Sequence, residues 1–310
     1  MRASTPTDWQ ESVSPKKHDV DSECGRRISF ESYRAEAARS NSAGAPQHAR
    51  KINGMNVFAI RLLPLVAALV VMTAGAARAD MASDLVSKNL AARGGAEKLA
   101  AISTIEFTGK IVQPGGSQLT YKAIRARKNG GTLIQSSIQG LTLVQGYDGT
   151  VGWRINPFEG RRDAERISDD ATRALADEAS IDGALLSANA RGGTIAYLGR
   201  EDFDGTDAYK LRVVGAGLGA AQYVYYLDPE TYLEIRVEET RVLRGSKRVS
   251  LSELSDYERV DGVYFPFSIE SGGIGSTSAN RQKLVIDTAR ANVPVSDSLF
   301  AIPPAPGAKS

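Results

Sequence analysis

The strongest constraint on this chain is an alternation of period two that keeps returning between turn signals. In "TIEFTGKIV", residues 104–112, Ile105, Phe107 and Ile111 fall on one face and Glu106, Thr108 and Lys110 on the other. The pattern recurs in "YLEIRVEET", where Leu233, Ile235 and Val237 oppose Glu234, Arg236 and Glu238. It returns in "VYFPFSIE", where Val263, Phe265, Phe267 and Ile269 oppose Tyr264, Pro266, Ser268 and Glu270. Further strand candidates lie near 118–127, 132–139, 141–147, 151–156, 193–200, 207–214, 221–228, 247–257 and 281–290. The turn signals "PGGS", "NGG", "YDGT", "DFDGTD", "DPET", "VDGV" and "GGIGST" separate nearly all of them. A parallel sheet would need a helical crossover after each strand, and none is written here. The sequence therefore predicts a large antiparallel meander of about a dozen strands, each with one dry and one wet face.

Helical periodicity is confined to two places. "MASDLVSKNLAARGGAEKLAAI" predicts a helix from about Ser83 to Arg93, a break at Gly94-Gly95, and a short helix over 96–101. Residues 160–191 form an insertion between strand groups. Within it Ser168 is placed to cap a helix carrying Ala171, Ala174 and Leu175, and a second apolar cluster follows at Ile181, Leu185 and Leu186.

Ahead of all this stands "NVFAIRLLPLVAALVVMTAGAARAD". It has a positive charge at Arg61, an apolar run from Leu62 to about Gly75, and Ala77-Arg78-Ala79 before Asp80. These are the parts of a secretory leader cleaved after Ala79, with a run too short for a permanent span. No cysteine follows it, so no lipid attachment site is present. The preceding residues 1–54 are rich in Ser, Ala, Arg and Glu without sustained apolar periodicity. The expected organisation is a non-native or disordered extension over 1–54, a leader over 55–79 with Met55 as the natural start, and one domain over 80–310 exported to the periplasm.

Removing the leader also removes chemistry. Cys24, His18 and His48 all precede residue 80, so the remaining chain has neither Cys nor His. That excludes Cys nucleophiles, Ser-His-Asp triads, disulfides and His- or Cys-based zinc sites from the domain. The same segment carries 27 Lys and Arg against 29 Asp and Glu, a formal charge of −2, with no basic block interleaved with aromatics, so nucleic acid is not an expected partner. Glu234, Glu238 and Glu253 alternate with apolar residues as a solvated strand face does, which argues against a hydrolytic pair or a calcium site. No catalytic residue, metal or cofactor is expected.

A dozen one-sided strands must cover their apolar faces. They can do so as two facing sheets, as a barrel filled by side chains, or by curving round an apolar ligand; alternation reports burial and not what does the burying. At this point several segments together resemble the outer-membrane lipoprotein-sorting proteins of the LolA/LolB-like superfamily: "LAARGGAEKLAAI" before a strand, "YDGTVGWRINPFEG" before a helical insertion, "YYLDPETYLEIRVEE", "VDGVYFPFSIE" and "ANVPVSDSLFAIP". The resemblance covers nearly all of residues 83–304. It implies a mainly β fold with a helical lid, namely a strongly curved, unclosed antiparallel barrel of about eleven strands. It also implies a cavity for acyl chains of a lipoprotein or lipid, and inner-membrane or outer-membrane transport components as partners.

On that reading the cavity residues are Ile105, Phe107, Ile111, Trp153, Phe158, Leu175, Leu185, Leu233, Ile235, Val237, Val263, Phe265, Phe267 and Ile269. For Trp153, packing beside an Asp148-Gly149 type I′ turn competes with ligand contact, and Pro157-Phe158 stand where the lid would hinge. Of Tyr223, Tyr225 and Tyr226, either the first two or the third point inward, with a backbone group the expected partner of a buried hydroxyl. The expected function is that of a non-enzymatic periplasmic carrier or chaperone. A sensor module that detects lipid or lipoprotein and contacts an envelope protein is the alternative.

Overall fold

The computed structural model describes residues 63–215, 221–243 and 245–304. The extension over 1–54 and the start of the leader through Arg61 lie outside them, as do residues 216–220. Among the described residues no helix is long and apolar enough to cross a membrane.

The described strands form one antiparallel sheet. In chain order they are β1 (Thr104–Val112), β2 (Gln118–Ala126), β3 (Thr132–Ile138), β4 (Leu141–Tyr147), β5 (Gly152–Ile155), β6 (Glu165–Arg166), β7 (Thr194–Phe203), β8 (Thr206–Val214), β9 (Gln222–Leu227), β10 (Glu234–Leu243), β11 (Ser246–Val260), β12 (Val263–Gly273) and β13 (Gln282–Ala291). Their spatial order is β6-β5-β4-β3-β2-β1-β13-β12-β11-β10-β9-β8-β7. The sheet is thus a meander cut at one place: β1 pairs with β13, and the two edges, β6 and β7, flank the helical insertion in sequence. Because neither edge strand pairs with the other, the sheet does not close into a barrel. Two-residue turns with both φ values positive supply the sharp reversals at Gln139-Gly140, Asp204-Gly205 and Asp261-Gly262. At Asp148-Gly149 the expected type I′ turn is replaced by an Asx turn, in which Asp148 Oδ1 accepts from the N–H groups of Thr150 and Val151, each at 2.8 Å.

Among the described residues four α-helices accompany the sheet: α1 (Leu63–Ala92), α2 (Ala96–Ala101), α3 (Asp169–Glu178) and α4 (Gly183–Ser187). Helix α1 does not begin at Ser83 as expected but runs on from Leu63 without a break, since the alanine-rich stretch 75–82 contains no proline to stop it. It ends at Gly94-Gly95, where the Gly95 N–H reaches back to the Leu90 carbonyl at 2.9 Å. Gly94 has φ +123° and lies so close to β12 that a Cβ there would stand 2.3 Å from the Gly262 carbonyl oxygen.

Side chains on the concave face make two clusters. One joins Leu99 and Ile102 with Ile105, Phe107, Tyr121, Ile134, Val263, Phe265, Phe267 and Ile286, covered by Leu175 and Ala176 of α3, by Ala179 just past its end and by Ile181. The other joins Leu211, Val213, Tyr223, Tyr225 and Leu227 with Leu85 of α1 and Leu185 of α4. Helix α3 touches β3–β5 on one arm and β10 on the other, so the arms curve toward each other beneath it.

The far face of the sheet is not simply wet. Ile124, Ala126, Leu133 and Trp153 pack there against Phe300, with Val295, Leu299 and Ile302 at the margin, so the C-terminal segment covers this side of β2–β5. Glu106, expected on the solvated face, is 6% exposed and held by Lys122 at 2.8 Å and by Arg290. Pro266 sits on an interior strand, where a proline is tolerated because it lies beyond the stretch in which β12 pairs with β13, which begins at Ser268.

Candidate ligand-binding site beneath the lid

The lid is built from residues 168–187. Ser168 caps α3 as expected, its hydroxyl accepting from the Ala171 N–H at 3.4 Å, and Asp169 and Asp170 favour the positive end of the helix dipole. On α4, Leu185 enters one concave cluster while Leu186 borders the other. Between the two helices Asp182 is fixed twice. Its carboxylate accepts from Nη1 and Nη2 of Arg127, each at 2.7 Å, and its carbonyl accepts from Nη1 of Arg93 at 3.1 Å. Arg127 also donates to the carbonyls of Leu99 and Ile102, so the lid is pinned to the end of α2.

The two concave clusters do not meet completely. At their seam lies a cavity of about 230 Å³, with Ile181 and Leu185 as its roof, Val237, Leu254, Phe265 and Ile269 as its apolar wall, and Arg93, Arg125, Glu234, Tyr225 and Tyr257 as its polar groups. A second space of about 370 Å³ shares Arg125, Ser180, Gly183 and Tyr225 with it and adds Asp177, Glu178, Glu239 and Arg241. A third, of about 550 Å³, shares Ala174, Glu239 and Arg241 with the second and reaches Lys247 and Arg248 near the β10–β11 turn. The concave face therefore holds a run of spaces, of which the first is mostly apolar and the second, beside it, is the more polar. A separate cavity of about 500 Å³ lies on the far face, between Glu106, Arg290 and the segment 293–299, with no part in the lid.

The polar groups of the inner cavity form an ordered set. The rings of Phe107 and Phe265 meet edge to face at 5.7 Å; Arg125 lies over the first ring at 5.7 Å and Arg93 over the second at 5.5 Å. Arg93 Nη1 stands 3.9 Å from Glu234 Oε1, and the Tyr257 hydroxyl donates to the Glu234 carbonyl at 2.8 Å. Burial, and then the Glu234 charge, push the Tyr225 and Tyr257 hydroxyls well above the ordinary tyrosine value, so both stay neutral donors. The Nε atoms of Arg93 and Arg125 are buried and find no acceptor among the described residues. Also among the described residues, no group of three or more His, Cys, Asp or Glu side chains is placed to hold a metal ion.

Of the residues singled out from sequence, Leu185, Val237, Phe265 and Ile269 line this cavity. Ile105, Phe107, Leu175, Val263 and Phe267 form the adjoining concave core, with Ile111 at its margin. Leu233 and Ile235 are half-buried and do not line it. A bulge between Glu234 and Arg236 inserts Ile235 into the ladder and turns the 7%-exposed Glu234 inward, against the simple alternation. Trp153 lies on the far face, its Nε1–H donating to the Phe300 carbonyl at 2.7 Å. Its neighbour Gly152 faces the other way, toward Thr172 and Ile167. Phe158, in a single 3-10 turn over Pro157–Glu159, is 47% exposed and touches no part of the cavity. Tyr223 and Tyr225 point inward and Tyr226 outward, but two of the hydroxyls have side-chain partners: Arg241 donates to Tyr223, and Tyr226 lies against Glu201 and Glu238.

Sequence reasoning missed Arg93, Arg125, Asp182 and Tyr257. For Arg125 the signal was present: it shares a strand face with Tyr121 and Ala123, an inward register that an arginine seldom takes. Arg93 could not be read in this way, because its burial follows from the close approach of Gly94 to β12.

No protein-family model matches the chain, and no curated protein matches it. Solved structures do. The chain shares its fold with a DUF1329 family protein from Desulfovibrio piger, at a TM-score of 0.50 and 16% identity, over 72% of this chain and 97% of that one. A structure described as an outer membrane lipoprotein-sorting protein domain, from Vibrio parahaemolyticus, matches at 0.45 and 14% identity, over 69% and 97%. A LolA superfamily protein from Nitrosomonas europaea matches at 0.45 and 13% identity, over 69% and 97% of the two chains.

Proposed function

We propose that the protein is a non-enzymatic carrier that shields acyl chains of a lipid or lipoprotein beneath its helical lid, in the periplasm, for transfer toward the outer membrane. The observation that carries this reading is the apolar-walled cavity at the seam of the two concave clusters, roofed by Ile181 and Leu185. A sheet that stays unclosed leaves its concave face dependent on the lid, and a lid held by side-chain contacts can release it. Burial of hydrocarbon is worth about 0.8 kcal/mol per CH₂, so even a short enclosed segment of chain binds usefully. The leader-like segment before Asp80 supports export.

The test is transfer of a fluorescently labelled phospholipid from donor to acceptor vesicles. The wild-type protein should accelerate it, and Val237→Asp or Ile269→Asp should remove the acceleration without loss of the fold. Binding of the lipid without any transfer would instead favour a sensing role.

A further inference from the structure

The lining carboxylates of the inner spaces are nearly all engaged. Arg127 holds Asp182; Arg241 holds Asp177 at 2.9 Å and Glu239 at 2.5 Å; Glu234 has Arg93 and Tyr257. Among the cations withdrawn from water in these spaces Arg125 is the exception, Lys247 and Arg248 near the β10–β11 turn being exposed. Among the described residues no carboxylate lies within ion-pair distance of it, and its buried Nε has no acceptor. It stands on the inward face of β2, over the Phe107 ring, and belongs to both the apolar cavity and the more polar space beside it. A half-buried guanidinium at such a junction has lost part of its water and gained only a ring face in exchange.

From this the geometry points to a ligand that is an anionic amphiphile: its carboxylate or phosphate is received by Arg125, with Arg93 behind it, and its hydrocarbon lies against Phe265, Ile269 and Val237. The guanidinium fork suits either anion, since both present paired oxygens. Its place between an apolar wall and a polar mouth fixes the direction of the ligand, tail inward and head toward Arg241. Only Glu178, exposed on the last turn of α3, stands at that mouth without a described ion pair. This inference rests on the carrier reading and names the class of its cargo.

The experiment uses the purified protein with Nile red, an uncharged dye that reports apolar sites, displaced by dodecanoate, dodecyl phosphate or dodecanol. Equal chain length isolates the head group. Hydrogen bonds to a charged group are worth about 1.5–3 kcal/mol, so at least one of the anions should bind roughly ten to a hundred times more tightly than dodecanol. Arg125→Gln should bring it down to the level that the alcohol shows on the same variant, and Arg125→Lys should keep much of the preference. Stronger binding of dodecanoate would point to a fatty acid, and of dodecyl phosphate to a phospholipid or other phosphorylated lipid. Dodecanol binding as well as the anions, or an anion preference that survives Arg125→Gln, would overturn this inference and leave the carrier reading standing. Displacement by none of the three would overturn both.

Discussion

Arg127 and Asp182 meet through two parallel hydrogen bonds of 2.7 Å, and this single pair ties the turn between the lid helices to the end of α2. The hydrogen bonds to Asp182, and after them its charge, raise the pKa of Arg127 further above its ordinary value despite partial burial, so the guanidinium stays charged. With Arg241 on Asp177 and Arg93 on the Asp182 carbonyl, the pair is one of the side-chain contacts that hold the lid over the cavity.

Asp182→Asn should therefore loosen the lid and leave the sheet intact, since Arg127 keeps its bonds to the Leu99 and Ile102 carbonyls. The pair is about two-thirds shielded from water, so the cost should be about 1–2 kcal/mol. Hydrogen exchange checks this: residues 169–187 should exchange faster in the variant while β1, β2 and β12 keep their protection. Uniformly faster exchange would mean that the pair supports the whole fold rather than the lid.

Glu106 gives the fold an acid-sensitive point on the far face. Hydrogen bonds from Lys122 and then Arg290 hold its pKa below the ordinary value of about 4.5 despite burial. A carboxyl whose pKa is lower folded than unfolded adds stability that is fully present above the unfolded value and disappears as pH falls through the folded one. Thermal unfolding from pH 7 to pH 3 should show a smaller loss of Tm in Glu106→Gln than in the wild type. An equal loss in both would place the acid sensitivity elsewhere.

The C-terminal segment should matter for stability and not for ligand. Phe300 is fully buried, and its carbonyl takes the Trp153 indole N–H. Phe300→Ala should cost about 3–5 kcal/mol by denaturant unfolding. Gly146→Ala should also destabilise, because a Cβ there would lie 2.3 Å from the Trp153 ring. Ligand capacity per folded molecule should stay at the wild-type level in both variants, because the cluster and the lid cavity occupy opposite faces.

Local pattern was enough to read every described strand but β6, because nearly all are bounded by turns whose residues have a backbone reason to be there; Glu165–Arg166, inside the stretch read as a helical insertion, is too short to show an alternation. The break at Gly94-Gly95, the cap at Ser168 and the apolar face of Phe265 and Phe267 could be read for the same reason. What period two could not show is which surfaces come together later. Glu106 and Ile124 share the far face and look unlike each other in sequence, yet both are buried once the tail arrives. A single inserted residue at Ile235 was enough to exchange the inward and outward roles around Glu234. Trp153 was read as cavity or hairpin; its ring does lie on Gly146 across the β4–β5 hairpin, but its indole N–H goes to a partner 147 residues away that no local pattern announces. The start of α1 was misplaced because the expected boundary at Ser83 has no stop signal before it.

The most direct test of the central claim is native mass spectrometry, followed by solvent extraction, of the protein purified from its host without detergent. The account predicts a stoichiometric apolar adduct that disappears in Ile269→Asp while the variant remains folded. A clean ligand-free mass from a stable, monodisperse wild-type protein would contradict it.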